Sequence, residues 1–271
     1  MKRRLAVLLI TAAAFILTGC GSRPDAAVLF REAKAGAERM SSCSAVFDSS
    51  LEFSANGQAH RFDTSGKTIY HAQPFALKSV QSSSLDGISG GGETDTVLEN
   101  GRLWSYYKAS GKWMKTDAQG TSTSSEDQLD ILRILDGAAD PKYVRETTCN
   151  SRKVHKIELK MKSEVLRSAI ESIVTSTGLS KGSGTIVQTL LDSAPDLYGY
   201  CYISEEDGQI VRVELDAADA LSTVFGNIDG SSVSITVSKC SITGGLSDIG
   251  TAPAVTLPAE AADASSVQAR G

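Results

Sequence analysis

The chain has 271 residues and a formal net charge of −5, and 41% of its residues are hydrophobic. This length allows one large β domain or two small domains. The acidic balance and the lack of a basic stripe argue against a nucleic-acid partner. No apolar run after the N-terminal segment reaches the roughly 18 residues that a membrane-spanning helix needs.

The N-terminal segment resembles a bacterial lipoprotein signal. Basic residues at positions 2–4 precede the apolar run LAVLLITAAAFI, and LTGC follows at 17–20 as in a lipobox. By that resemblance residues 1–19 are a signal peptide that is removed. Cys20 then carries a diacylglycerol on its thiol and an acyl chain such as palmitate on its amine, and 20–24 form a short tether. An ordinary secretory signal with a chance cysteine is the alternative.

The predicted anchor places the protein at the extracytoplasmic face of the cell membrane, as part of the cell envelope. Two or three acyl chains hold a protein on a bilayer, because each buried methylene adds about 0.8 kcal/mol. Removal of residues 1–19 leaves 24 basic residues against 32 acidic ones. Anionic lipid head groups would therefore not hold this surface, so the membrane contact is expected through the lipid anchor.

Four cysteines remain in the predicted mature chain. An even number of cysteines in an exported protein favours disulfides, and the sequence leaves three connectivities open. Four buried free thiols are the alternative. Their spacing fits no zinc motif, since no CxxC and no neighbouring histidine pair occurs. The candidate disulfide residues are Cys43, Cys149, Cys201 and Cys240.

The mature chain begins with a predicted helix and continues with strands. Apolar residues recur at helical spacing from about Asp25 to Met40. The next segment, CSAVFDSSLEF, alternates apolar and polar residues as a half-buried strand does. Asn56-Gly57 fits a type I′ turn, which predicts a hairpin with the following strand. Two further strands follow before position 99.

Both tryptophans of the chain lie in LENGRLWSYYKASGKWMK, at Leu98–Lys115. RLWSYYK and KWMKTD alternate in the manner of strands, and ASG joins them. This pattern predicts a hairpin with cross-strand aromatic pairs around Trp104 and Trp113 rather than an aromatic catalytic site. A helix then follows, with a capping box from Ser125 to Gln128 and Gly137 at its C-terminal end.

The segment Glu164–Ser193 interrupts the predicted sheet with two amphipathic helices. Gly178, Gly182 and Gly184 make their connection flexible, so the segment is expected to form a lid over an apolar cavity. A fully packed interior without a cavity is the alternative. The candidate cavity and lid residues form two apolar stripes: Val165, Leu166, Ala169, Ile170 and Ile173, then Ile186, Val187, Leu190 and Leu191.

The remaining chain predicts further hairpin strands and a last short strand in AVTLPAEAADA. The count is about ten or eleven strands in a single domain over 25–258, followed by a polar tail over 259–271. Hairpin-length connections predict an antiparallel sheet, not a Rossmann arrangement.

No motif of a known catalytic or cofactor site is complete. SGKT at 65–68 resembles the end of a P-loop, but Arg61 stands where the first glycine is required. The three histidines are isolated, and His155 lies on an apolar strand face, where a packed side chain is expected. The sequence therefore predicts no enzyme, no cofactor and no metal site, although a triad assembled in space would escape this test.

The order of these elements resembles the LolA/LolB/LppX-like lipoproteins, in the form found in Gram-positive bacteria. The resemblance rests on the lipobox, the N-terminal helix, the aromatic hairpin, the hairpin YCYISEEDGQIVRVELD, the late two-helix insertion and the closing AVTLPAEAADA. It implies an α+β fold, a curved antiparallel β half-barrel with helices covering the concave face. It also implies an apolar cavity that takes acyl chains.

Three functions remain open at this point. The preferred one is a membrane-anchored lipoprotein that binds a lipid or another hydrophobic ligand as a carrier or sensor. The second is a non-catalytic envelope scaffold or protein-interaction module with a packed interior, whose partner the sequence does not identify. The third is a hydrolase, which would require a buried serine, histidine and aspartate within hydrogen-bond reach.

Overall fold

Twelve strands form one continuous sheet in the computed structural model, which describes residues 23–99, 101–109, 111–177, 183–226 and 234–266. The sheet is curved and does not close on itself, and helices accompany it, so the predicted α+β half-barrel is confirmed. The strands are β1 Ser42–Ala55, β2 Gln58–Ala72, β3 Phe75–Leu85, β4 Ile88–Glu99, β5 Arg102–Ala109, β6 Lys112–Asp117, β7 Ala139–Cys149, β8 Arg152–Met161, β9 Leu197–Ser204, β10 Ile210–Asp216, β11 Ile235–Ser247 and β12 Ser265–Ser266.

The strand order follows two meanders that meet in the middle of the sheet. It runs β12-β6-β5-β4-β3-β2-β1-β11-β10-β9-β8-β7, and all pairs are antiparallel except β12 with β6. The predicted turn joins β1 to β2, with Asn56 and Gly57 both at positive φ. A type I′ turn requires this conformation and favours these two residues. The sheet has twelve strands, which is one or two more than the ten or eleven predicted from the sequence.

The helices lie where the sheet needs cover. They are α1 Ala26–Glu38, α2 Ser125–Gln128, α3 Asp130–Leu135, α4 Arg167–Ser176, α5 Ser183–Asp192 and α6 Ala218–Gly226. Asp25 caps α1 by accepting hydrogen bonds from the backbone N–H groups of Ala27 and Val28. At the other end, the buried Ser125 hydroxyl donates to two carbonyl oxygens of the last turn of α1. Backbone groups at both ends of α1 thus have side-chain hydrogen-bond partners.

One apolar core connects these helices to the concave face of the sheet. The inward residues of β1 alternate as predicted, with Cys43, Ala45, Leu51 and Phe53 buried. Helices α1 and α3–α6 pack apolar side chains into the same core. None of the helices in the described ranges is long and apolar enough to span a membrane.

Three local predictions differ from the structure. The helix expected from Ser125 is broken at Leu129, whose backbone is extended, and Ser124 rather than Ser125 is the capping residue. Helix α6 was not predicted. The last strand was expected within AVTLPAEAADA, where the chain instead has a 3₁₀ helix at Ala259–Ala261 after an irregular run. Pro253 and Pro258 flank that run, and proline lacks the N–H that a sheet ladder requires.

The predicted aromatic hairpin is confirmed as β5 and β6. Trp104, Tyr106 and Trp113 lie on the outer face of the sheet, whereas Tyr107 shares the inward face with Leu103. On the outer face Tyr106 and Trp113 are buried against Ala261, and Trp104 packs at the edge of this cluster. Residues 257–264 therefore cover part of the outer face, and the pairing of β12 with β6 continues this cover.

The predicted disulfides are not present, and the strand register explains their absence. All four cysteines are free and buried. Cys43 lies on β1 and Cys240 on the neighbouring β11, but Cys240 lies opposite Leu51, roughly 26 Å along the strand from Cys43 at about 3.3 Å per residue. Cys149 packs on the outer face and Cys201 in the inner core. A disulfide needs Cα atoms within about 7 Å, so the alternative of four free thiols holds in this structure.

The thiols give a direct test of this arrangement. Burial raises the pKa of Cys43, Cys201 and Cys240 to about 12, with Asp248 and Asp216 contributing at the first and last. We expect protein lacking residues 1–20 to react slowly with a thiol reagent when folded, because the reactive thiolate is scarce. After unfolding in urea without reductant, four thiols should react. A count of zero would restore the disulfide prediction.

A buried carboxylate lies on the outer face between two strands. Asp95 on β4 pairs with Lys78 on β3 and with Tyr106 on β5, and its side chain is fully buried. Lys78 Nζ lies 3.5 Å from one Asp95 oxygen, and Lys78 also bonds to Glu93. Burial raises the pKa of Asp95 and outweighs the charge of Lys78. Folding therefore favours the protonated form of this side chain.

This pKa shift predicts a pH-dependent effect of Asp95→Asn. A raised carboxyl pKa contributes stability at low pH that is lost as the pH rises through the folded value. From about pH 3 to about pH 7 the free energy of unfolding of the variant should therefore improve relative to the parent protein. Urea titrations at several pH values measure this difference.

Asp117→Asn is the matched control. Hydrogen bonds from the Gln119 backbone N–H and the Arg102 guanidinium lower the pKa of Asp117. Removal of the Asp117 carboxylate should change the difference in free energy of unfolding between variant and parent in the opposite direction. The Asp117→Asn variant should therefore lose stability relative to the parent as the pH rises. Parallel pH profiles for the two variants would contradict the assignment of Asp95 as a buried, raised-pKa group.

Candidate functional site

A cavity of about 470 Å³ lies between the concave face of the sheet and the helices. Strands β1, β2 and β11 form its floor. Helix α3, the 3₁₀ helix Ser163–Leu166 and the first turn of α4 form its walls. Its volume falls within the range of about 300–1,000 Å³ that is typical of small-molecule sites.

The floor is mainly apolar because three neighbouring strands place apolar side chains next to one another in the strand register. Leu51 on β1 lies between Phe62 on β2 and Cys240 on β11. Phe47 and Ile242 extend this surface. Phe47 and Phe62 remain partly exposed, although both lie on the concave side. Partly exposed aromatic rings inside a cavity offer contact area to a ligand.

Two glycines shape the floor beside Phe47. Gly66 and Gly244 lie opposite Phe47 on its two neighbouring strands. A Cβ atom on Gly244 would lie 3.1 Å from the Cβ of Ile131, so glycine permits α3 to approach the sheet closely. The wall of the cavity therefore depends on the absence of a side chain at this position.

Hydroxyl groups interrupt the apolar floor. Ser49 on β1 pairs with Thr64 on β2 and with Ile242 on β11. Ser50 and Ser241 also line the cavity. A ligand on this floor would thus find hydrogen-bonding groups among the apolar ones, as is typical of sites that orient a ligand.

Charged side chains of both signs surround the opening. Arg133 Nη1 lies 3.4 Å from Asp130, and Lys162 Nζ lies 3.4 Å from Asp136. Glu164 completes the rim and pairs with Arg167 across one helical turn. Exposed ion pairs of this kind contribute only about 0–1 kcal/mol each. The rim can therefore exchange its internal pairs for a charged or zwitterionic group of a ligand.

The predicted lid residues divide into three groups in the structure. Val165 and Ala169 line the cavity. Ile186 is half-buried against the core. The others are packed into the core with little or no exposure: Leu166, Ile170, Ile173, Val187, Leu190 and Leu191. The helices α4 and α5 thus cover the sheet, and a charged substitution at Leu166 would test folding rather than binding.

The link between these two helices falls partly outside the described residues. Gly178 and Gly182, which suggested a flexible connection, belong to that part. Cys20 and its predicted tether before residue 23 also lie outside it. Lid movement and lipid attachment therefore stay predictions.

The sequence prediction missed the sheet side of the cavity. Phe47 and Leu51 share the inward parity of β1, and this alternation was visible in the sequence. Their contribution to a floor with Phe62 and Ile242 depends on the register of three strands that are distant in the chain. No local pattern reports that register.

The cavity does not bring together a catalytic arrangement among the described residues. None of the three histidines lines it. His60 bonds to Asp86 and His71 to the carbonyl of Pro253, both elsewhere in the fold. Burial and the charge of Asp216 raise the pKa of Cys240 to about 12, so its thiol stays protonated and is a poor nucleophile.

Comparisons with known proteins give similarities of fold. No protein-family model and no curated protein matches the chain. The lipoprotein LppX from Mycobacterium tuberculosis is 13% identical over 87% of this chain and 100% of its own, with a TM-score of 0.44. LprF from Mycobacterium bovis is 13% identical over 89% and 99%, with a TM-score of 0.45. A LolA superfamily protein from Nitrosomonas europaea is 10% identical over 87% and 96%, with a TM-score of 0.21.

Proposed function

We propose that this chain is a membrane-anchored extracytoplasmic lipoprotein that binds an amphiphilic lipid in its cavity. The cavity between the sheet and α3–α4 carries this proposal, because it combines a volume of about 470 Å³ with an apolar floor and a charged rim. The acyl part of the ligand would lie on Leu51, Phe62 and Ile242. Its polar head would lie at the rim, near Arg133 and Lys162.

The energetics of such binding are sufficient. Burial of about ten methylene groups gives about 8 kcal/mol before losses, at about 0.8 kcal/mol each. Ordering of the chain and of the complex consumes part of this. The position of the domain supports the same ligand class, since an anchor at Cys20 would hold the cavity near a bilayer, where lipids are abundant.

An envelope scaffold without a ligand is the second candidate. The packing of the α4–α5 stripe favours it, because Leu166, Ile170 and Ile173 have no exposed surface at all. Those helices close much of the concave face by themselves. The two candidates differ in whether the remaining cavity holds a molecule in the purified protein.

Ala169→Trp separates these candidates. Ala169 lines the cavity and is only partly buried, so an indole at this position should occupy ligand space without entering the packed core. We expect the affinity for a fluorescent fatty-acyl probe to fall at least about tenfold, which corresponds to about 1.4 kcal/mol or the loss of roughly two buried methylenes. Lipid extracted from the purified variant should fall in parallel.

Thr175→Trp is the matched control, because Thr175 is exposed on the same helix and does not line the cavity. This variant should bind the probe like the parent protein and should retain its copurified lipid. Empty extracts from the parent, together with equal probe binding by both variants, would refute the carrier proposal and leave the scaffold.

The anchor has its own test in Cys20→Ala. Because the proposed attachment is a thioether on Cys20, the variant should remain as unprocessed precursor or be released into the medium. Fractionation of cells followed by mass measurement of the product distinguishes these forms. A variant that is cleaved at the same site and retained in the membrane like the parent would show that attachment does not depend on Cys20.

A further inference from the structure

Two carboxylates and one imidazole meet at the end of the sheet that is formed by β7, β8 and β9. Glu146 on β7 lies directly opposite His155 on β8. His155 in turn lies opposite Ile203 on β9, and Glu205 follows in the turn to β10. The Glu205 backbone N–H donates to the carbonyl of Lys153 at 3.0 Å, which fixes this turn beside β8. One ligand atom of Glu146, of His155 and of Glu205 lies within 4.8 Å of the other two.

The carboxylates in this cluster lack a counter-charge at contact distance. Among the ion pairs of the described residues, none involves Glu146 or Glu205. Two carboxylates at this separation repel each other unless a cation lies between them. Two carboxylates nearby behave differently, as Glu158 on β8 pairs with Lys142 and Glu214 on β10 pairs with Arg212.

The imidazole has an unused nitrogen. His155 Nδ1 is shielded from water and has no hydrogen-bond partner among the described residues. The ring packs beside Tyr143, with 5.8 Å between the two ring centroids. A buried polar atom without a partner costs about 1–3 kcal/mol, so such atoms are rare unless something else binds there.

We propose that Glu146, His155 and Glu205 form a binding site for a divalent transition-metal ion, with Zn²⁺ as the reference ion. An imidazole nitrogen with carboxylate oxygens is a donor set that zinc uses, and three protein ligands leave a fourth position for water. Calcium prefers six to eight oxygen ligands, and magnesium an octahedral oxygen shell, so neither ion suits an imidazole. No spacing in the sequence announces this site, because its ligands come from three separate elements.

A bound metal ion would connect the edge strand β7 to strands that lie further inside the sheet. Strand β7 is the last strand in the order and pairs on one side only, with β8. A bound ion would link it to β8 and to the β9–β10 turn, and would stabilise the folded chain by mass action. The cavity is lined by β1, β2 and β11 on its sheet side. Metal binding and lipid binding are therefore separable in experiments.

The test uses the full mature protein in detergent, stripped with a chelator and dialysed. Zn²⁺ is titrated in competition with a chromophoric chelator, and the melting temperature is recorded with and without the ion. We expect one equivalent to bind and to raise the melting temperature. Glu205→Gln should weaken this binding at least about tenfold, because even the loss of groups that only support a ligand costs about 10–100-fold. Ca²⁺ should produce no comparable effect.

Glu206→Gln is the matched control, since Glu206 is the exposed neighbour in the same turn and does not belong to the cluster. It should bind Zn²⁺ like the parent. Glu146→Gln, on an exposed edge-strand position, should repeat the loss seen for Glu205→Gln without a change in the unliganded fold. Absence of binding by the parent, or equal binding by all three variants, would overturn the proposal. Equal affinity for Ca²⁺ would also overturn it, because the imidazole would then contribute nothing.

Discussion

The concave face of an open twelve-stranded sheet is the constraint on which this structure depends. A sheet of this size exposes a continuous apolar surface on its inner side, and burial of such surface is worth about 25 cal/mol per Å². The chain supplies helices between its strands to cover that surface, and α1 and α3–α6 join the same core. The longest of them, α1, has 13 residues. Helices this short are marginal in water, so sheet and helices stabilise each other.

The cavity follows from how unevenly the helices fill this face. Ile170, Ile173 and Val174 on α4 reach the core and leave no space around them. The cavity side of the same helix carries Ser168 and Ala169, which are small. Small side chains above large floor residues leave volume that neither layer fills. The cavity is therefore a consequence of side-chain size along one helix.

Much of the fold could be predicted from local patterns. The alternation in β1, the Asn56-Gly57 turn and the helical stripes of α4 and α5 each reflect a period that the sequence displays. Helix α6, which was not predicted, has a stripe of the same kind, with Ala220, Leu221, Val224 and Phe225 buried. Its period is present in the sequence as well, so this helix too is predictable from local pattern.

What could not be predicted depends on contacts between distant segments. The cysteines illustrate this, since their even number says nothing about which face or which register each one occupies. The cluster of Glu146, His155 and Glu205 is a second case: these positions have no motif spacing, and only the pairing of β7 with β8 and of β8 with β9 brings them together. Physical proximity in a sheet is set by register, and register emerges from the packing of the whole face.

On the outer face, lysine side chains and residues 257–264 cover the aromatic rings of the sheet. Lys156 Nζ lies 3.6 Å from the ring centroid of Tyr200, and Lys115 Nζ lies 5.1 Å from that of Trp104. Long lysine side chains can cover aromatic rings while their charges stay hydrated. The outer aromatic residues thus have cover of their own, from lysines or from residues 257–264. Among the described residues, no lysine lies over the partly exposed inner rings Phe47 and Phe62, so these rings keep surface that faces the cavity.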